Sequence, residues 1–251
     1  MKPYYEDELV TLYHGDCREV LPTLRSGSVR LLWTDPPYGH ANQSGDLQSA
    51  RMRDGVQGGS TKAPEPIRND DQNDMRLAVS GMLNEAVRLM CADCCCCCCA
   101  GGGGPTPTFA WLAQSMDSGL WRFFHAVVWD KTDRGPGLGW KLRRDYEFVM
   151  MAHRRGGKLS WAGDAVSNIW RVAPEQNFYH PNQKPEELIA GFIRASTSGG
   201  DLVLDPFAGS GTTLVAAKRL GRKAIGIEIE ERYCEIAASR CSQGTLAELF
   251  L

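Results

Sequence analysis

Residues 202–213 read Leu202-Val203-Leu204-Asp205-Pro206-Phe207-Ala208-Gly209-Ser210-Gly211-Thr212-Thr213. A short apolar run ends in an acid and is followed by a glycine-containing turn. Thr212 to Leu220 then reads as a helix, stopped by Gly221 where a left-handed residue is favoured. Strand, turn and helix in this order form the unit with which open α/β sheets build a ligand crevice at the carboxyl ends of their strands. Gly209 and Gly211 let the backbone approach a bound molecule closely. No Gly-Lys-Ser/Thr follows, so the turn is not a phosphate loop, and it is shorter than a GxGxxG turn. That spacing disfavours a nicotinamide-dependent oxidoreductase. Some 20 residues on, Ala224-Ile225-Gly226-Ile227-Glu228 ends a second strand in an acid, which can accept both ribose hydroxyls of an adenosine. A lone glycine turn would be weak evidence; the complete set is far more specific.

Working outward, the same alternation recurs. Strand candidates are Val10–Tyr13, Val29–Thr34, Cys94–Cys99, Ala126–Trp129, Phe148–Ala152, Leu202–Leu204 and Ala224–Glu228. Several are continuously apolar, as strands covered on both faces are. Helical stretches lie between them. One carries a stripe of Leu77, Met82, Leu83, Ala86, Val87 and Met90; another, Glu186 to Ser196, is opened by Pro185; a last one runs from Glu231 to Arg240. The pattern predicts an α/β fold with a largely parallel sheet in a single domain over 1–251. The Gly-, Asn- and Asp-rich stretch 39–75 reads as a mobile loop, and Gly101–Gly104 with Pro105 and Pro107 as a sharp turn. Six of the ten cysteines are consecutive, Cys94 to Cys99. Neighbours on a strand point to opposite faces, so this run cannot converge on one tetrahedral ion. It reads as a buried strand in a reducing compartment, with no metal.

A second segment also carries chemistry. Val29-Arg30-Leu31-Leu32-Trp33-Thr34 runs into Asp35-Pro36-Pro37-Tyr38-Gly39. Two prolines restrict the backbone, so the Asp35 carboxylate, the Pro36 carbonyl and the Tyr38 ring can be held rigidly. A carboxylate and a carbonyl can accept the two N–H donors of an exocyclic base amine and make its nitrogen more nucleophilic. An aromatic ring stacked on the base adds about 1–3 kcal/mol. Taken alone, a proline turn with a capping Asp would look the same.

Together the two segments resemble the amino-methyltransferases of DNA. Asp35-Pro36-Pro37-Tyr38 is similar to their catalytic motif, Asp205-Pro206-Phe207-Ala208-Gly209-Ser210-Gly211 to their cofactor motif, and His180-Pro181-Asn182-Gln183-Lys184-Pro185 to an element at the methionine end of the cofactor. Tyr13-His14-Gly15-Asp16-Cys17 resembles the segment near the cofactor's adenine. The resemblance covers nearly the whole chain, weakest over 40–75 and 131–179. It implies S-adenosylmethionine as cofactor, held by Asp16, Lys184, Asp205, Phe207, Ala208, Gly209, Ser210, Gly211, Thr212, Thr213 and Glu228, and double-stranded DNA as substrate. The catalytic motif precedes the cofactor motif, as in the β-group of the family. This implies a Rossmann-like, circularly permuted, seven-stranded, mostly parallel sheet with helices on both faces. In that order Val10–Tyr13 is strand three, Val29–Thr34 strand four, and the cut between strands two and three accounts for both ends of the chain.

The implied reaction is direct methyl transfer to a flipped base, so no nucleophilic cysteine is needed. A leading Asp in the tetrapeptide goes with N6 of adenine in the family; N4 of cytosine, or RNA, is the alternative, and a non-catalytic DNA-binding module a remote one. Net charge is −2, but residues 131–171 carry nine Lys or Arg against four acids. A basic region over 131–179 suits DNA contact through Lys141, Arg143, Arg144, Arg154, Arg155 and Lys158, although a solvated loop face would read alike. Trp161 and Trp170 read as packing aromatics sooner than recognition ones. With 43% hydrophobic residues, no apolar run near the roughly 20 residues of a membrane span, and an acidic start lacking a signal-peptide pattern, the expectation is a cytoplasmic protein. Family resemblance allows a homodimer and leaves open a restriction endonuclease partner.

Overall fold

The structure, a computed structural model, describes residues 1–37, 72–100, 108–131, 145–159, 161, 166–175 and 183–243. In chain order the elements are β1 (Tyr5–Glu6), β2 (Val10–His14), α1 (Cys17–Val20, with a 3-10 turn over Leu21–Thr23), β3 (Val29–Thr34), α2 (Gln72–Leu89), β4 (Met90–Ala100), α3 (Thr108–Ser115), β5 (Trp121–Asp130), β6 (Tyr146–Arg154), β7 (Ile169–Arg171), α4 (Glu186–Ser196), β8 (Leu202–Asp205), α5 (Thr212–Arg219), β9 (Lys223–Glu228) and α6 (Glu231–Ser242). The strands form one sheet in the order β1-β2-β9-β8-β3-β4-β6-β5-β7. β2, β9, β8, β3 and β4 are mutually parallel, and β6 runs antiparallel to both β4 and β5.

The order reverses between β8 and β3. From β8 the chain crosses through α5 to β9 on one side; from β3 it crosses through α2 to β4 on the other. A reversal of this kind leaves a crevice at the strands' carboxyl ends. The two segments singled out in the sequence leave the sheet there, side by side. Leu31 pairs with Val203 and Leu32 with Leu204, so Thr34 and Asp205 end their strands together.

Helices cover both faces. On one, Leu12, Leu31, Trp33, Cys95, Cys97, Cys99 and Val203 pack against α4 (Leu188, Ile189, Phe192, Ile193), α5 (Leu214, Val215) and α6 (Cys234, Ala237, Cys241). On the other, Leu32, Cys94, Cys96, Cys98, Leu204 and Ile227 pack against α1 (Cys17, Val20), α2 (Met75, Val79, Met82, Leu83, Ala86, Leu89) and α3 (Leu112). The cysteine run thus alternates between the two layers, as side chains on a strand must. All six are buried and unbridged. No group of three or more His, Cys, Asp or Glu among the described residues is arranged to hold a metal ion. Burial pushes the thiols of Cys94 and Cys99 up, which denies them thiolate character at neutral pH.

All seven expected strands are present, but the sheet has nine. The additions, β1 and β7, are edge strands of two and three residues, too short to show a period. β1 folds back on β2 because the Asp7 carboxylate accepts the amides of Leu9 (2.9 Å) and Val10 (2.7 Å). β5 begins five residues before its predicted start, since a register shift between Phe123 and His125 breaks the apolar alternation there. The short helix α3 is likewise an addition to the predicted elements. α2 starts at Gln72, inside the stretch read as a loop, and its buried stripe is 75, 78, 79, 82, 83, 86 and 89; Leu77 is 61% exposed. The rest of the loop, 38–71, and the turn at 101–107 lie outside the described residues. Among the described residues no helix is long and apolar enough to cross a membrane.

Candidate active site

The glycine loop after β8 is braced from below. The buried Asp205 carboxylate accepts hydrogen bonds from the Thr34 hydroxyl (2.9 Å), the Phe207 amide (3.1 Å) and the Thr213 hydroxyl (2.5 Å). It therefore joins the end of β3, the turn and the first turn of α5. Burial pushes its carboxyl up to about 6, with the Thr213 and Thr34 hydroxyls opposing. Arg240 of α6 donates to the Ser210 carbonyl (2.7 Å) and the Thr212 hydroxyl (3.0 Å), and Ser210 donates to Gln183 (3.2 Å). Gly211 has φ +80°, and a Cβ there would meet Ala237 Cβ at 2.7 Å, so this turn can close against α6 only as glycine.

Above the brace the loop presents backbone. Gly209 has φ +51° and no atom within 4 Å of a notional Cβ. Its amide donates to Glu228 (2.8 Å), whose other oxygen accepts the Glu230 amide (2.8 Å). Burial pushes the Glu228 carboxyl up to about 7 despite these two amides. The Ala208 amide is held by the Ile227 carbonyl (2.9 Å), and the Gly15 amide by the Glu228 carbonyl (2.9 Å), which brings Asp16 to the same end of β9. Asp16 caps α1 through the Arg18 amide (2.8 Å) and pairs with the Arg18 guanidinium. An open glycine beside a carboxylate with lone pairs to spare fits the ribose end of a nucleoside cofactor. Within the expected cofactor set, Ser210, Thr212, Thr213 and Asp205 face inward as bracing, while Gly209 and Glu228 edge the crevice.

Beyond Thr34 the chain enters Asp35-Pro36-Pro37; Tyr38 lies outside the described residues. Asp35 Oδ2 is 2.7 Å from Lys184 Nζ, and Lys184 also reaches Glu147 Oε2 at 3.2 Å. Glu147 in turn pairs with Lys131 (2.5 Å). Burial works against the charge on Lys184, but the Asp35 and Glu147 carboxylates outweigh it and hold its pKa above the ordinary range. Burial likewise opposes charge on Glu147, and Lys184 and Lys131 bring its pKa below the usual value. In the sequence Glu147 is only one of four acids within a basic stretch, and nothing around it signals this place.

The structure does not bring all the predicted DNA contacts to this end. β6 runs antiparallel to β4, so Glu147 lies near the crevice while Arg154, seven residues on, is about 23 Å away at the opposite end of the sheet. There Arg155 approaches Asp117 (3.6 Å) and the Lys158 amide donates to Asp93 (3.1 Å). Lys141, Arg143 and Arg144 lie outside the described residues, but the segment carrying them leaves and re-enters at the crevice end, where the Lys131 amide donates to the Asp145 carbonyl (2.8 Å). Trp170 packs on Phe192 with ring centres 4.3 Å apart, and Trp161 meets the same ring edge-on at 6.2 Å, so both help seat α4 on the sheet.

A family model for DNA methylases, N6_N4_Mtase, matches residues 29–239. The chain belongs to this family. The methylase is 29% identical to the type II methyltransferase M2.LlaDCHI of Lactococcus lactis subsp. cremoris, over 97% of this chain and 93% of that protein. It is 28% identical to M2.DpnII of Streptococcus pneumoniae, over 95% and 92%. Among solved structures, TTHA0409 of Thermus thermophilus, titled a DNA modification methylase, aligns with TM-score 0.66 and 25% identity over 92% of this chain and 94% of that one. The PvuII DNA methyltransferase, titled cytosine-N4-specific, has the same fold, with TM-score 0.71 and 18% identity over 99% and 93%.

Proposed function

We propose that this methylase transfers a methyl group from S-adenosylmethionine to the exocyclic N6 of an adenine flipped out of double-stranded DNA, at a specific site. The observation that carries the reading is the coincidence, at the reversal of strand order, of Asp35-Pro36-Pro37 with the Gly209 loop and Glu228, stitched together by the Thr34–Asp205 hydrogen bond. Bound there, S-adenosylmethionine supplies an activated methyl on a sulfonium. The protein's part is orientation. Asp35 accepts one N–H of the target amine, the Pro36 carbonyl the other, and Tyr38 stacks on the base. Glu228 accepts the ribose hydroxyls. Lys141, Arg143 and Arg144 contact phosphates; Arg154, Arg155 and Lys158 are left out of that set because of their distance from the crevice.

The test is incubation with methyl-free duplex DNA, single-stranded DNA and RNA, followed by chromatography of the digested nucleosides. N6-methyladenine from duplex DNA is expected; N4-methylcytosine would move the target to the alternative, and methylated RNA alone would sink the reading.

Cofactor affinity should depend on pH. Glu228 accepts the ribose hydroxyls best when ionised, and its carboxyl titrates near 7 in the unliganded protein. Affinity is thus complete above 7 and weakens as pH falls through it, by up to about tenfold per unit. The unliganded protein responds oppositely. A raised carboxyl pKa means that the folded state binds the proton more tightly, so this group adds stability as pH falls from 7 towards the unfolded value. Calorimetric titration at pH 8, 7 and 6 checks the first statement; a flat profile that Glu228→Gln leaves unaltered would refute it.

A further inference from the structure

The described residues contain a chain of four alternating charges, Lys131–Glu147–Lys184–Asp35, whose members come from four separate places in the fold: the ends of β5 and β3, the start of β6 and the approach to α4. Lys184 is its middle. Its side chain is 5% exposed, whereas those of Asp35 and Glu147 are 23% and 17% exposed. A buried ammonium loses its hydration and is tolerated only with close anionic partners. Asp35 and Glu147 are such partners, on either side of it.

We propose that Lys184 is a positioning residue for Asp35, held in place by Glu147, and acts on the amine-binding carboxylate instead of serving primarily as a cofactor ligand. The inference rests on the reading of Asp35 as the acceptor of the target amine. By engaging Oδ2, Lys184 pins the plane of the Asp35 carboxylate at a point where the two prolines already restrict its backbone. Because Lys184 keeps Glu147 as a second partner, a substrate amine can draw on Asp35 without stranding a buried cation. The other ionisable groups around Asp35 are Cys99 at the end of β4 and Asp205 on β8, neither of which carries a positive charge. Lys184 is therefore the cation in direct contact with Asp35, and Glu147 fixes where that cation sits.

The experiment compares Lys184→Met, Lys184→Arg and Glu147→Gln with the unmodified protein, measuring S-adenosylmethionine affinity by calorimetry, and kcat and KM on methyl-free duplex DNA. Lys184→Met is expected to lower kcat by about 100-fold while cofactor affinity changes less than threefold. Lys184→Arg, which keeps the charge and offers a fork to both carboxylates, should recover at least a tenth of kcat. Glu147→Gln, which retains shape, should lower kcat about tenfold with cofactor affinity unchanged. If Lys184→Met weakens cofactor binding in step with the loss of turnover, or if Glu147→Gln is indistinguishable from the unmodified protein, the proposal is wrong. Should Lys184→Met fail to fold, Glu147→Gln and Lys184→Arg decide it alone. Absence of methyl transfer by the unmodified protein would instead overturn the reading of the function.

Discussion

Asp35→Ala is expected to lower methyl transfer by about a thousandfold or more while leaving S-adenosylmethionine affinity within about threefold. A preorganised hydrogen-bond partner at a reacting centre is worth roughly 10²–10³ in kcat, and Asp35 also fixes which lone pair the amine presents, so the larger figure applies. The carboxylate lies on the β3 side of the crevice, and the contacts of Gly209 and Glu228 on the β8–β9 side do not pass through it. Fold should be retained, because Lys184 keeps Glu147 when Asp35 is removed. Single-turnover rates on duplex DNA, paired with calorimetry of the cofactor, check both halves. Near-normal turnover of Asp35→Ala would end the catalytic assignment.

Asp205→Ala should behave differently, with cofactor affinity, turnover and stability all falling together. The alanine leaves three buried or half-buried donors, Thr34 Oγ1, Thr213 Oγ1 and the Phe207 amide, without their acceptor. At about 1–3 kcal/mol for each stranded group, offset by relief of the buried charge, a net loss of about 3 kcal/mol is reasonable. For a domain of this size that is a melting midpoint lower by roughly 6–12 °C. Asp205→Asn should be milder, since its remaining carbonyl oxygen can still accept from Thr34 and Phe207 and the Thr213 hydroxyl can turn to accept. Thermal melts with cofactor titrations of both variants test this. Asp205→Ala with unchanged stability and weakened cofactor binding alone would mean that Asp205 touches the cofactor directly instead of bracing its loop.

These two carboxylates mark how far sequence reasoning reaches. Both stand at the end of an apolar strand, before a turn whose prolines or glycines announce a special backbone, and the determinants lie within a dozen residues of each other. The same short range makes α4, α5 and the cysteine strand readable from residue type and period. Elements of two or three residues, β1 and β7, have no period to read, and the register shift at Phe123–His125 hides the first half of β5. On α2, Leu77 fits the apolar count but lies off the face toward which 75, 79, 82, 86 and 89 point.

What the sequence determined by itself is the pair of strand-turn units and the reactivity each can support, because those depend on local backbone and side-chain chemistry. The tertiary structure alone decided which charges meet. Lys184 finds Asp35 across 149 positions of chain, and Glu147 joins them, because α4 and β6 return to the carboxyl end of β3. Arg154, seven residues beyond Glu147, ends at the opposite edge because a strand carries its two termini to opposite ends of the sheet. Charge counted along a sequence is blind to that direction; an antiparallel strand turned one basic stretch into two separate surfaces.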